Sequence, residues 1–395
     1  MKWGTIRFGD LYSTESRNGL TKPSKIRGSG YKMINMGELF ANDRIYDIPM
    51  ELAPLKDTEK MNAKIEIGDL LFARQSLVLE GAGKCSIVME VSPLTVFESH
   101  LIRVRLDRKR ALPMFYYYYF KSPLSPMASI VSQCAQAGIR GSDLQELNVI
   151  FPPLYIQNKI AQILSYYDDL IENNQKQIKL LEEAAQRLYK EWFIDLRFPG
   201  HETTPIVDGV PEGWKEQSLY QIADVVMGQS PKSEYYNQVG EGLPFYQGVG
   251  SYGNRFVSDE TYSTSFTRIA EAGSILFSVR APVGRLNLTK NKVVIGRGLA
   301  AINHRRGAQS YLFYLLKEKF FRDDIIGNGS IFASISKEEL LNQTFLIPID
   351  SLVGQFNGIA GGIDKKIDIL SEQIRLLTEA RNRLLPKLMS GEIEV

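Results

Sequence analysis

Cysteine and histidine are scarce, with two and three respectively in 395 residues. Cys85 and Cys134 make neither a disulfide framework nor a thiolate metal site, and His100, His201 and His304 are too scattered to repair that. No metal site is expected. No apolar run reaches the ~18 residues of a membrane span, and Met1-Lys2-Trp3-Gly4 begins no signal peptide. A cytoplasmic chain with no membrane partner is expected. Enzyme signatures are missing too: no Walker A, no Gly-x-Ser-x-Gly and no Glu-x-Lys of a metal-dependent nuclease occurs. Phe151-Pro152-Pro153-Leu154 fails at both outer positions of the [Asn/Asp]-Pro-Pro-[aromatic] tetrapeptide of adenine methyltransferases. Gly296-Arg297-Gly298 lacks the downstream glycine and following helix of a dinucleotide loop. No catalytic residue is read. A net charge of +2 is too small to announce a nucleic-acid binder by itself.

What the chain does contain is a repeat. Residues 152–188 and 348–384 align without gaps at an offset of 196, with identities at Pro152/Pro348, Ile163/Ile359, Asp168/Asp364, Ile171/Ile367, Gln177/Gln373, Ile178/Ile374, Leu180/Leu376, Leu181/Leu377, Glu183/Glu379, Ala184/Ala380, Arg187/Arg383 and Leu188/Leu384. Internal repetition fixes architecture before anything else does. Leu164, Ile171, Ile178, Leu181 and Leu188 in the first copy, and Ile367, Ile374, Leu377 and Leu384 in the second, fall on a three–four spacing. That spacing predicts two long helices packed side by side as a coiled coil, with polar Asn174 and Arg381 interrupting the seam and fixing register. Gly354, Gly358, Gly361 and Gly362 weaken the second helix by up to ~1 kcal/mol each, so a bend or frayed start near Gly361 is expected.

The segments before the helices echo each other. Trp3 and Trp214 each precede a short apolar run (residues 8–11 and 219–222), and Ile-Gly-Asp-Leu-Leu-Phe-Ala-Arg at 67–74 matches Ala-Gly-Ser-Ile-Leu-Phe-Ser-Val-Arg at 272–280. Both read as a turn feeding a buried strand. Short β-rich runs (101–106, 292–295, 299–302) mixed with helices near 114–120 and 311–321 give an α+β class. The aromatic run at 115–120 invites a base-stacking reading, but its echo at 311–314 favours core. The expected domains are 1–151, a helical spacer at 152–196, 197–346, and a second helical spacer at 347–395.

Charge is uneven. Residues 272–317 hold no Asp or Glu but eight basic residues, among them Arg280, Arg285 and Arg297. A stretch of that kind attracts phosphate. The polar loops at 228–237 and 247–255 offer Gln229, Ser230, Lys232, Tyr252, Asn254 and Arg255, and amide and guanidinium groups pair with base edges in the major groove. Arg74, Gln75, Lys84 and Arg140 in the first domain, and Ser334 and Lys337 in the second, complete the candidate DNA-binding set.

The chain resembles the specificity subunit family of type I restriction–modification systems. The resemblance rests on residues 152–164, on Ile-x-Leu-Leu-x-Glu in both helices, on 329–340 leading into Ile347-Pro348, and on 228–236 and 296–300. It implies two α/β target-recognition domains joined by two long antiparallel helices in a pseudo-twofold, circular arrangement. Each domain would read one half of a bipartite site in double-stranded DNA. The partners it implies are two modification subunits, which bind S-adenosylmethionine and methylate adenine N6, and restriction subunits that use ATP and Mg; this chain holds no cofactor and is no enzyme. About 30 helical residues at ~1.5 Å each span ~45 Å, comparable with the ~34–36 Å of one DNA turn, so the helices would set the gap. The alternative is a stand-alone or degenerate relative without a working partner set.

Overall fold

The computed structural model describes residues 3–133, 137–258, 260–320 and 334–395. Cys134 and the 329–333 part of the resemblance lie outside them. The chain divides into two compact units, Met1–Asn174 with Gln373–Val395, and Gln175–Glu372. The central helix runs Leu154–Tyr189 and the C-terminal helix Asp350–Ser390, so each unit contains a stretch of both.

In the first unit a five-stranded mixed sheet is ordered Tyr12–Asn18, Leu101–Leu106, Leu70–Ala73, Cys85–Val88, Arg44–Ile45. Leu70 and Phe72 enter the main core, whereas Leu71 and Ala73 enter a smaller one on the other face. A strand covered on both faces has no polar alternation. The main core is filled by the helix Pro113–Lys121. Its four tyrosines, Tyr116 to Tyr119, are buried against Ile156, Ile160 and Leu164 of the central helix and Leu385, Leu388 and Met389 of the C-terminal helix. The aromatic run is therefore packing, not a stacking platform. Gln157, wholly buried, holds the start of this helix: its Oε1 accepts from the Leu112 N–H at 2.8 Å, and its Nε2 donates to the Pro152 carbonyl at 2.9 Å.

The second unit repeats the plan. Its antiparallel sheet is ordered Ala223–Met227, Leu299–His304, Ile275–Ser278, Leu286–Leu288. Ile275 and Phe277 face the main core and Leu276 the smaller one. The helix Gln309–Phe320 fills the core with Tyr189 and Phe356 from the long helices and Phe193 from the turn Lys190–Ile194 that follows the central one. Val353 stands where the first copy has Gln157, and the lost cap is replaced one helical turn further on: the Tyr311 N–H donates to Asn357 Oδ1 at 3.2 Å. Both units thus solve the unpaired N–H groups of a buried helix start with an amide from a long helix.

The repeat reaches beyond the helices. Tyr118 and Tyr314 share the same 196-residue offset, and their hydroxyls donate to Asp168 at 2.7 Å and Asp364 at 3.2 Å, which share it too. Burial, reinforced by the Asp168 charge, pushes the Tyr118 hydroxyl far above the usual tyrosine range, so it stays a donor. The cation differs. Arg381 of the C-terminal helix pairs with buried Asp168 in the first unit, whereas Arg255, from the loop at 247–255, pairs with Asp364 in the second. Arg44, at the tryptophan offset of 211 from Arg255, reaches Asp169 at 2.6 Å and Glu172 at 3.3 Å. In each unit a buried arginine from outside the helices is clamped onto helix carboxylates.

Of the predicted helix stripe, Leu164, Ile171 and Ile367 are buried, while Ile178, Leu181, Leu188, Ile374, Leu377 and Leu384 are half-buried. Asn174, a seam exception, is buried and its Nδ2 donates to Gln373 Oε1 at 3.2 Å. No break appears near Gly361: the C-terminal helix runs unbroken from Asp350 through all four glycines, which corrects the expected frayed start. Leu352, Val353, Phe356 and Ala360 are buried in the second core, and tertiary packing of an apolar face outweighs poor propensity. Gly354, Gly358 and Gly362 face open space, with nothing near an added Cβ. Alanine at each is expected to stabilise the second unit by about 0.5–1 kcal/mol, read as a raised urea midpoint. Unchanged or lowered midpoints would show that the glycines serve a contact.

Candidate nucleic-acid interface

In both units the interface candidates gather where the central strand of the sheet ends. In the second unit the strand Ile275–Ser278 leads into Val279, whose N–H donates to the Gly298 carbonyl at 2.9 Å and whose carbonyl accepts from the Ile335 N–H at 2.9 Å. Arg280 then bridges to Ser334. On the Gly298 side, the Arg297 N–H donates to Ser230 Oγ at 3.2 Å and the Gln229 N–H to the Ile295 carbonyl at 2.9 Å. Gln229, Ser230, Arg280, Arg297 and Ser334 therefore form one edge, and all but half-buried Ser230 are exposed. Lys337 is exposed in the first turn of the short helix that follows Ser334, capped by Ser336. The glycines of this edge allow close backbone approach: a Cβ on Gly228 would collide with the Gly296 carbonyl, and one on Gly298 with that of Gln247.

The first unit has the same construction. The Arg74 N–H donates to the His100 carbonyl at 2.8 Å, and the Arg74 carbonyl accepts from the Ile139 N–H at 2.9 Å. Gln75 pairs with Gly138 and Ser76 with Ala137. Gly138 and Ile139 stand to Ser334 and Ile335 at the 196-residue offset, so Gln75 occupies the place of Arg280. Gln75 Oε1 lies 2.8 Å from His100 Nδ1. Exposed Arg140 precedes the short helix Gly141–Glu146, as Ser336 precedes that of the second unit. His100 is the member that sequence reasoning missed; only the alignment of the two strand ends points to it.

Other candidates sit apart or are already engaged. Arg255 is buried, paired with Asp364 and Glu182, with its guanidinium 4.0 Å above the Phe313 ring. Its charge is committed to the fold, a correction that loop polarity alone could not anticipate. Tyr252 turns inward against the smaller core and its hydroxyl is enclosed. Asn254 is exposed beside a cleft of about 420 Å³ that Arg285 also lines. Lys84 donates to the Phe40 carbonyl at 2.8 Å and stands 3.4 Å from Asp43. Lys232 is exposed, 3.8 Å from Glu234.

The acid-free stretch is less basic in space than in sequence. Lys290 meets Asp368 at 2.7 Å, Lys292 meets Glu271 at 3.0 Å, Arg305 meets Asp224 at 3.1 Å, and Arg306 pairs with Asp350. Arg280 and Arg297 make no ion pair among the described residues, which concentrates the uncompensated charge on the strand-end edge. Among those residues no His/Cys/Asp/Glu group is arranged to hold a metal, and no helix is long and apolar enough to cross a membrane.

The family model described as the type I restriction modification DNA specificity domain matches residues 1–183 and 211–381. The putative type I restriction enzyme MjaX specificity subunit of Methanocaldococcus jannaschii is 30% identical over 392 residues, covering 96% of this chain and 91% of that protein. The HindI specificity subunit of Haemophilus influenzae is 20% identical over 441 residues, covering 91% and 94%. The crystal structure of the type I restriction-modification S subunit from M. genitalium superposes with a TM-score of 0.60 at 16% identity, covering 98% of this chain and 96% of that one. With a family model across both units and a relative alike along nearly its whole length, the chain belongs to the specificity subunits of type I restriction–modification systems, the non-catalytic subunits that recognise DNA.

Proposed function

We propose that residues 1–151 and 197–346 each read one half of a bipartite double-stranded DNA site, through Gln75 and Arg140 in the first and Gln229, Ser230, Arg280, Arg297, Ser334 and Lys337 in the second. The spacers at 152–196 and 347–395 set the gap and dock two modification subunits. Those cytoplasmic partners bind S-adenosylmethionine and methylate adenine N6, and restriction subunits use ATP and Mg. One observation carries the reading: the Gln75–Gly138 and Arg280–Ser334 pairings recur at equivalent strand ends, and no carboxylate is among the residues of the second edge. A glutamine suits adenine and an arginine guanine, so the repeated frame with different side chains supplies two specificities.

The test is to map methylated adenines in cells carrying Gln75→Ala or Arg280→Ala. Each is expected to relax one position in one half-site, with a loss of ~1–3 kcal/mol against the wrong base. Arg297→Ala, if its guanidinium meets phosphate, weakens binding across all sequences and flattens the salt dependence by about one unit. A single substitution that alters bases in both halves, or none of the three altering anything, overturns the two-reader assignment.

A further inference from the structure

Directly after Gln75 and Ser76, the first unit turns three apolar side chains to solvent: Leu77, Val78 and Leu79 are 89%, 59% and 46% exposed. A single exposed leucine needs no explanation. Three in succession on one tip, directly beside a polar edge, do.

This tip is built rather than loose. The Val78 N–H donates to Ser76 Oγ at 3.1 Å, the Gly81 N–H to the Val78 carbonyl at 3.2 Å, and the Ala82 N–H to the Leu79 carbonyl at 3.2 Å. The Gly83 N–H returns to the Ala73 carbonyl at 2.8 Å, closing the turn on the end of the central strand. Gly81 is needed there because a Cβ would collide with Ser76 Oγ. The backbone is thus pinned while Leu77 is left with almost no cover.

Polar neighbours say what the tip faces. Gln75 precedes it with its amide beside His100, Ser76 pairs with Ala137, and Arg140 lies on the segment bonded to Arg74. One carboxylate, Glu80, follows it. The equivalent turn of the second unit begins with Arg280 and continues Ala281-Pro282-Val283, so the two edges differ in this element: charge first in one, a longer apolar projection in the other. The major groove offers one apolar feature to such a side chain, the C5-methyl group of thymine.

Resting on the interface assigned above, we propose that Leu77 and Val78 are specificity-determining residues of the first half-site, reading a thymine by contact with its C5-methyl group. A buried methyl contact changes binding about fourfold. The occupant is duplex DNA, and the tip adds shape to the hydrogen bonds that Gln75 offers.

The experiment uses the full chain, purified with the subunits that accompany it, and duplexes in which deoxyuridine replaces each thymine of the half-site that Gln75→Ala affects. Deoxyuridine removes the methyl group and nothing else. Native protein is expected to lose about fourfold at one position, and the Leu77→Ala/Val78→Ala double variant to bind both duplexes equally. Indifference of the native protein at every thymine, a half-site without thymine, or a variant as sensitive as the native protein overturns the proposal. So does a variant that fails to hold its accompanying subunits while keeping the deoxyuridine effect, since the tip would then face protein. Where Gln75→Ala shifts specificity and the tip variant does not, the tip alone fails; where neither Gln75→Ala nor Arg280→Ala has effect, the interface assignment falls and the tip with it.

Discussion

Replacing Arg255 with alanine is expected to destabilise the second unit by about 3–5 kcal/mol, the cost of removing one partner from a buried charged cluster. The guanidinium is almost wholly enclosed, with Asp364 and Glu182 as its carboxylate partners, the Tyr314 hydroxyl at 3.4 Å and the Phe313 ring beneath. Alanine leaves Asp364 charged beside Tyr314 with no cation and opens a cavity over Phe313. Lysine is a poor substitute, because one ammonium cannot span both carboxylates and lie flat on a ring. Arg255→Met combined with Asp364→Leu is expected to recover most of the loss, since apolar side chains of similar volume often match a buried pair. Urea unfolding of the two variants reads both outcomes, with Lys232→Ala as a surface control expected within about 0.5 kcal/mol of the parent. A loss under about 1 kcal/mol for Arg255→Ala would mean that water already screens the cluster.

The same residue shows where sequence reading stops. A polar loop of Gly, Ser, Asn and Arg looks solvent-facing by composition, and nothing local marks Arg255 as the member that turns inward. Its partners lie 109 residues away at Asp364 and 73 away at Glu182. The acid-free stretch failed in the same direction: four of its cations find carboxylates outside the stretch, so a gap in sequence overstated the field in space. By contrast the helices were legible, because an apolar three–four period sustained over 37 aligned residues has few other solutions. Their glycines misled only because propensity is a weak prior once Phe356 and Ala360 are buried beside them. The strand-end edges were half legible. The match of 67–74 with 272–280 located them, but the pairing of Gln75 with Gly138, and the place of His100 beside it, depend on contacts between segments 25 to 63 residues apart.

Lengthening both long helices by four residues, after Asn174 and after Glu372, is expected to lengthen the gap in the methylated site and leave its half-site sequences unchanged. The central helix passes from the first compact unit to the second at Asn174, and the C-terminal helix passes back after Glu372. Insertion at both places leaves each core as it is, since Leu164 with Leu385 belongs to one and Tyr189 with Phe356 to the other. Four residues add ~6 Å of helix, against ~3.4 Å per base pair, so the gap should grow by about one or two base pairs. Insertion in the central helix alone lengthens the passage between the units on one helix but not on the other, so the two helices can no longer serve both cores in their present register, and it is expected to cost stability and methylation together. Sequencing the methylated sites of cells carrying the paired insertion gives the result directly. An active complex that methylates at the original gap would mean that other subunits, and not these helices, measure the distance.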